Sequence, residues 1–488
     1  MEERTNPALA AATAMNAGGH ELQRALGPVS LTMIGIGGII GSGIFVITGH
    51  AAAEHAGPAV LLSFVLAGVA CFFAGLCYAE FASMIPESGS SYTYSYATMG
   101  RFMAWFIGWN MVLEYGISAS AVAAGWSGYF VSLLNDFGLT FTPALSSAPI
   151  AGDKLNELHA TGAIINLPAV LLILGLSLFL YLGVKESARF NSTMVLIKTG
   201  VVLLVIVFVL PFIHRANLTP FIPPNAGAWG KFGYSGVLAA SGNIFFAYLG
   251  FEAVSVAAQE ARTPRRDVPL GILASLGICT GLYILMTLAL IGVSDWRTLD
   301  VPNPVSFAVS KVAATKWLAL PIDIGAVVGL ASVVFVSLYG QSRISYAMGR
   351  DGFLPRVFAE VHSRYRTPHI NTLITGAVAA AFAAIFPLDL LAEVVSVGTL
   401  LAFIAVCIGI MVLRITVPKA RRPFRIRWVW FVAPAGTITC TLMMVSLFFS
   451  SPGTASRLII WTLIGVAIYF GYGVRHAAPS KWKVSNES

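Results

Sequence analysis

LTMIGIGGIIGSGIFVIT, residues 31–48, is apolar enough for a bilayer yet is interrupted by Gly35, Gly37, Gly38, Gly41, Ser42 and Gly43. A glycine in a helix interior is worse than alanine by roughly 1 kcal/mol. An unsatisfied backbone group in hydrocarbon costs several kcal/mol, so broken backbone survives there only where it lines a protein cavity. A second segment, VLAASGNIFFAYLGFEAVSV at 237–256, is interrupted in the same way by Ser241, Gly242, Asn243, Gly250 and Glu252. A matched pair of broken spans, one in each half of a many-span chain, is the best sequence pointer to a transporter's binding site.

The composition agrees with a bilayer. Of the 488 residues 57% are hydrophobic and 11% charged, against about 25% charged in soluble domains. Twelve spans of roughly 20 residues are expected at 31–50, 58–85, 102–134, 165–183, 190–213, 235–259, 269–293, 320–348, 370–386, 390–414, 428–450 and 457–474. The first 26 residues are polar and Ala-rich, without the apolar core of a signal peptide, and read as a cytosolic tail with a short amphipathic stretch near 21–26. Residues 475–488 read as a second cytosolic tail.

The net charge of +8 is explained by topology. With both termini cytosolic, 22 of the 30 Lys and Arg fall in cytosolic segments and seven outside, a strong positive-inside bias. That distribution excludes a nucleic-acid partner and names the lipid bilayer instead. The five cysteines all lie in apolar spans without CxxC spacing, and the eight histidines lack paired ligand spacing. No metal, cofactor or disulfide is expected.

The broken spans are the first and the sixth. Five spans separate their starts, so the second unit enters from the opposite face. The expected fold is an all-α multi-span protein with two inverted five-span repeats, 27–214 and 215–415, followed by spans 11 and 12 within 416–474. The loop at 135–164, rich in Ser, Pro and Ala, reads as a poorly structured cap with room for short helical pieces.

GIGGIIGSGIF at 35–45 superficially matches a dinucleotide-binding pattern, but it lacks the preceding strand and the downstream acid that pattern needs. A Gly-rich packing face is the plainer alternative. Unwinding at Gly41, Ser42 and Gly43 would instead start a second half-helix whose amides attract a carboxylate. The carbonyls of Ile39 and Ile40 just before it become acceptors for an ammonium. In the second break the carbonyls of Phe246, Ala247 and Leu249 offer the same, and Gly250 lets the chain turn. Phe246 and Tyr248 read either as packing or as an aromatic lid. Donors for an anion beside acceptors for a cation fit an α-amino acid zwitterion.

Ionisable residues inside spans are expensive and are functional candidates by default. Lys198 in span 5 has no carboxylate one helical turn away. Burial disfavours the charged form of an amine, which makes Lys198 the candidate proton carrier; snorkelling toward the membrane surface is the alternative. Glu114 shares a small, polar stripe with Asn110, Ser118, Ala121 and Gly125 and either senses the substrate or braces span 3. Glu252 either lines the pathway or holds the unwound loop. Glu393 is an external gate or a near-surface residue. Glu80 and Glu260 read as structural partners of loop arginines.

At these motifs the chain resembles the amino acid–polyamine–organocation (APC) superfamily, in the cationic amino acid transporter-like (CAT) branch of bacterial permeases. The carriers are GIGGIIGSGIFV at 35–46, YAEFASMIPESGSSYTY at 78–94, NSTMVLIK at 191–198, FFAYLGFEAVSVAAQEARTPRRDVP at 245–269 and YGQSRISYAMGRDGFLP at 339–355. The resemblance implies the LeuT-type fold with an amino acid held between unwound spans 1 and 6. It implies carboxylate contacts at Ser42 and Gly43, and ammonium contacts at the carbonyls of Ile39, Phe246, Ala247 and Leu249. It implies that Lys198 stands where sodium-coupled relatives hold a sodium ion, so that protons drive transport. Glu114 matches the acidic position of span 3 in this branch.

The expectation is a proton-coupled amino acid symporter of the bacterial inner membrane, working by alternating access. An exchanger needing no proton gradient is the alternative. A sensor is disfavoured by the lack of a partner motif in the tails, and an enzyme by the lack of a HExxH site or a Ser/His/Asp arrangement. The residues say nothing of a small membrane subunit or a sterol.

Overall fold

The computed structural model describes residues 26–86, 89–151, 159–182, 187–363, 365 and 367–477. The expected tails therefore lie almost wholly outside the described residues, as does the side chain of Glu260. The main helices are α1 (Pro28–Ile39), α2 (Val60–Met84), α3 (Ser90–Met111), α4 (Ser118–Asp136), α5 (Leu167–Tyr181), α6 (Ser187–Val209), α7 (Gly233–Ile244), α8 (Pro264–Val293), α9 (Ala319–Arg350), α10 (His369–Ile385), α11 (Leu388–Thr416), α12 (Val429–Ser450) and α13 (Pro452–Ile468). Proline opens several of them, at Pro28, Pro264 and Pro452, where a missing amide proton costs nothing. Among the described residues nine helical runs are long and apolar enough to cross a membrane, and α1, α5 and α10 are shorter apolar helices. The chain is a multi-span helical membrane protein, and each expected span meets one of these helices.

Three boundaries differ from the sequence reading. The first two spans join into one helical run, Gly43–Met84, through π-helical and 3-10 turns. Gly57, at φ +57°, marks its corner. The third span was expected from 102, but the helix starts at Ser90. Its first part, SSYTYSYATM, carries no apolar signal, and Gly100 at φ +83° divides it from the rest. The cap at 135–164 holds a 3-10 turn, Pro143–Leu145, and a two-residue antiparallel pairing of Ile150–Ala151 with His159–Ala160. Among the described residues the fold is thus helical with one two-stranded β-pairing.

Burial sorts the helices by depth in the protein. The run Gly233–Val256 is 89% buried across its apolar window, whereas Pro452–His476 is 17% buried. The sixth expected span is therefore the centre of the bundle, and the last one a peripheral helix facing lipid with Ile460, Leu463 and Phe470. α8 packs along both α1 and α2, and α9 lies against α4 and α6. The centre is closed by small residues. A Cβ on Gly250 would lie 2.3 Å from the carbonyl carbon of Gly38, and one on Gly43 would lie 2.2 Å from the Cα of Ala247. The two broken spans touch backbone to backbone.

This contact predicts an asymmetric response to alanine. Gly250→Ala combines overpacking with a side chain at φ +114° and should cost about 3 kcal/mol or more. Gly277→Ala, on a helical stretch with open space at its Cβ, should leave the melting temperature unchanged or slightly raised. Equal melting temperatures for the two purified variants would contradict this packing.

Candidate functional site

The first break is short. α1 ends at Ile39, Ile40 takes an extended conformation (φ −70°, ψ 97°), and Ser42 is helical again. The amides following Gly41 thus form a helix N-terminus, whose first turn lacks intrahelical acceptors. The second break follows a 3-10 turn, Phe245–Tyr248. Leu249 is extended, Gly250 sits at φ +114°, and helix resumes at Ala253–Val256. Glu252 folds back over this break, its two carboxyl oxygens accepting from the Gly250 amide at 2.9 and 3.0 Å. That contact serves the loop-holding reading of Glu252.

Two side chains tie the breaks into the bundle. Lys198, fully buried on α6, donates from Nζ to Gly37 O at 2.5 Å, Ile40 O at 2.9 Å and Ser332 Oγ at 3.2 Å. The Ser332 hydroxyl in turn donates to Gly329 O, so it is free to accept. Three acceptors meet the three protons of an ammonium. Gly329 makes room for the lysine stem: a Cβ there would lie 3.0 Å from Lys198 Cβ. Tyr283 of α8 places its hydroxyl 2.6 Å from Ile39 O and 2.9 Å from Ala247 O. One phenolic proton thereby bridges the first break and the second.

Between the breaks lies a central cavity of about 30 Å³, room for little more than one or two waters. Gly38, Ile39, Gly41, Ser42 and Gly43 line it from one side, and Phe246, Leu249, Gly250 and Glu252 from the other. Glu114 also lines it, from a π-helical segment, Val112–Ile117, that joins α3 to α4. Such π segments recur at functional sites. Among the described residues, Ser42 Oγ, Tyr115 Oη and both carboxyl oxygens of Glu114 are buried without a hydrogen-bond partner. Glu114 and Glu252 are electrostatic neighbours there.

The structure does not gather every candidate. Ile40 and Ala247 stand behind the cavity wall, one bonded to Lys198 and the other pressed against Gly43. Tyr248 turns away and donates to Phe64 O on α2 at 2.8 Å; it is no lid over this cavity. Glu393 is remote from the cavity, bonded to Ser451 at 2.7 Å and to Thr454, with Arg457 at 3.7 Å. It braces the turn between α12 and α13 instead of standing as a gate. The sequence reading missed Tyr115, Val122, Ala253, Val333, Val336 and Ser337, which complete the lining together with Ser118 of the span-3 stripe.

A wider vestibule of about 510 Å³ opens beyond the second half of the first span. Gly125 separates the two spaces: its Cβ position lies 3.3 Å from Val46 and 3.4 Å from Ser42. At the vestibule rim His50 Nδ1 meets Asp300 Oδ1 at 3.0 Å, and this bond holds the Asp300 carboxyl below the usual carboxylate range. Helix-end amides, an unpartnered serine hydroxyl and carbonyls with spare lone pairs can hold both charged ends of a small zwitterion once the breaks part. Among the described residues there is no group of three or more His, Cys, Asp or Glu that could hold a metal ion.

The amino acid permease family model matches residues 26–469. The chain is 44% identical to the methylthioribose transporter of Bacillus subtilis (strain 168), over 94% of this chain and 95% of the relative. It is 42% identical to a branched-chain amino acid permease of the same organism, over 95% and 96%. It is 37% identical to the vacuolar cationic amino acid transporter 4 of Arabidopsis thaliana, over 83% and 65%. These relatives are transporters and permeases, not enzymes. The chain belongs to the amino acid permease family of the APC superfamily.

Proposed function

We propose that this chain is a proton-coupled symporter of L-amino acids in a bacterial plasma membrane, with both termini cytoplasmic. In this reading it has twelve spans in the LeuT-type arrangement, with inverted repeats at 27–214 and 215–415 and two further spans within 416–474. The two breaks, five expected spans apart and in backbone contact, support that arrangement. Ser42 and the amides after Gly41 take the substrate carboxylate; the carbonyls of Ile39, Phe246 and Leu249 take its ammonium. The apolar wall of Val122, Val333, Val336 and Phe246 fits an aliphatic side chain, and one relative is named for branched-chain substrates.

The observation that carries the proton coupling is the triple bond set of Lys198. A protonated amine satisfies Gly37 O, Ile40 O and Ser332 Oγ together; a neutral one has only two protons to give. Loss of the proton therefore releases at least one contact between α6, α9 and the first break. The first break loosens, the cavity opens to the other side, and substrate leaves with the proton. Tyr283 carries the same movement from Ile39 to Ala247.

In proteoliposomes with acid outside, the wild type should accumulate leucine, isoleucine or valine, and Lys198→Ala should fall to the level reached without a gradient. Gradient-driven accumulation by Lys198→Ala would overturn the coupling. Exchange by preloaded wild-type vesicles at equal rates with and without the gradient would replace symport by exchange. Tyr283→Phe keeps the ring and removes the bridge. It should cost about 1 kcal/mol of stability, read by thermal unfolding, and should weaken substrate binding; an unchanged melting temperature and uptake would deny the bridge its role.

A further inference from the structure

The segment VPKARRPFRIRW at 417–428 joins α11 to α12 and holds no acidic residue. Both flanking helices are long and apolar enough to span, so the segment lies at a membrane face. Its shape is set by one buried ion cluster. Glu80 of α2 is fully buried and takes Arg414 Nη2 at 2.7 Å, with Arg422 Nε at 3.3 Å. The guanidinium of Arg422 also donates to Val417 O, Pro418 O and Ala420 O, capping the end of α11. Two residues on, the Phe424 amide donates to Ser83 Oγ at 3.2 Å; two further, the Ile426 amide donates to Glu80 Oε2 at 2.7 Å.

This alternation fixes the outer face. Arg422, Phe424 and Ile426 turn inward, so Arg421, Arg425 and Arg427 turn out, joined by Lys419. All four are exposed, and none has an ion pair among the described residues. Trp428 and Trp430 follow at once, 68% and 61% exposed, in the headgroup-level position that indoles prefer. Four cations without an acidic partner among the described residues, ending on interfacial tryptophans, are complementary to phosphate at the lipid surface.

We infer that this strap is a binding site for anionic phospholipid headgroups, with Glu80 and Arg422 as the staple that presents it. The site is separate from the central cavity and does not depend on the substrate or on coupling. Guanidinium groups suit phosphate because their planar forks bond two oxygens at once. Each surface cation near an anionic lipid contributes about fivefold in affinity.

The test titrates the purified protein in neutral detergent with phosphatidylglycerol or phosphatidylcholine and reads the melting temperature. Phosphatidylglycerol should raise it and phosphatidylcholine should not, and added salt should weaken the effect. Arg421→Gln/Arg425→Gln/Arg427→Gln should raise the half-saturating lipid concentration roughly a hundredfold, by about fivefold for each charge. Arg265→Gln/Arg266→Gln, exposed cations elsewhere, should leave it unchanged. If the triple variant does not fold, Arg425→Gln alone should give about a fivefold shift. Equal stabilisation by both lipids, a wild-type titration in the arginine variants, an equal loss in the control variant, or an equal effect of inorganic phosphate would each overturn the inference.

Discussion

Backbone polarity at membrane depth is the constraint on which this structure rests. Two spans are unwound where no water from a bulk phase can repay the lost helical bonds, so protein groups must do so. Lys198 meets Gly37 and Ile40, Tyr283 meets Ile39 and Ala247, and Glu252 meets the Gly250 amide. Each partner comes from a different place: α6, α8 and the second break itself. These contacts hold the shape of the breaks, and on the proposed reading the residues that stabilise the site are also those that move it.

The close approach of the breaks follows from the same economy of space. Gly38 against Gly250 and Gly43 against Ala247 bring main chain to main chain. The helix amides of one half then lie within a few ångströms of the carbonyls of the other. On the proposed reading a zwitterion needs both within its own length, and larger residues at these positions would hold the poles apart. Glycine is used here for proximity, and at Gly250 also for its positive φ.

Much of the fold was legible because hydrocarbon sets simple rules. Apolar length gave the helices, and glycine within apolar length gave the breaks. The glycines and Ser42 were readable because they are wrong for an ordinary span. Tyr283, Val333 and Val336 were not, because an aromatic or valine in an apolar helix looks like packing whichever way it points. Tyr248 follows its packing reading for a geometric reason. It lies two residues after Phe246 on a 3-10 turn, where that spacing separates directions by two thirds of a turn. Phe246 meets the cavity and Tyr248 meets α2. The sequence leaves Glu393 open between a gate and a near-surface residue because its partners, Ser451 and Thr454, come from a turn some sixty positions later. Its surroundings along the chain held no sign of them.

The small volume between the breaks has an energetic meaning of its own. A space of about 30 Å³ cannot receive an amino acid without separation of the glycine seam. If the proposed site is the one used, measured affinity contains the free energy of that separation, and the intrinsic grip on the ligand exceeds the apparent one by the rarity of the parted form. A substitution that relaxes the seam from afar would tighten apparent binding without touching any ligand-facing group, and one that knits it closer would weaken binding while improving thermal stability.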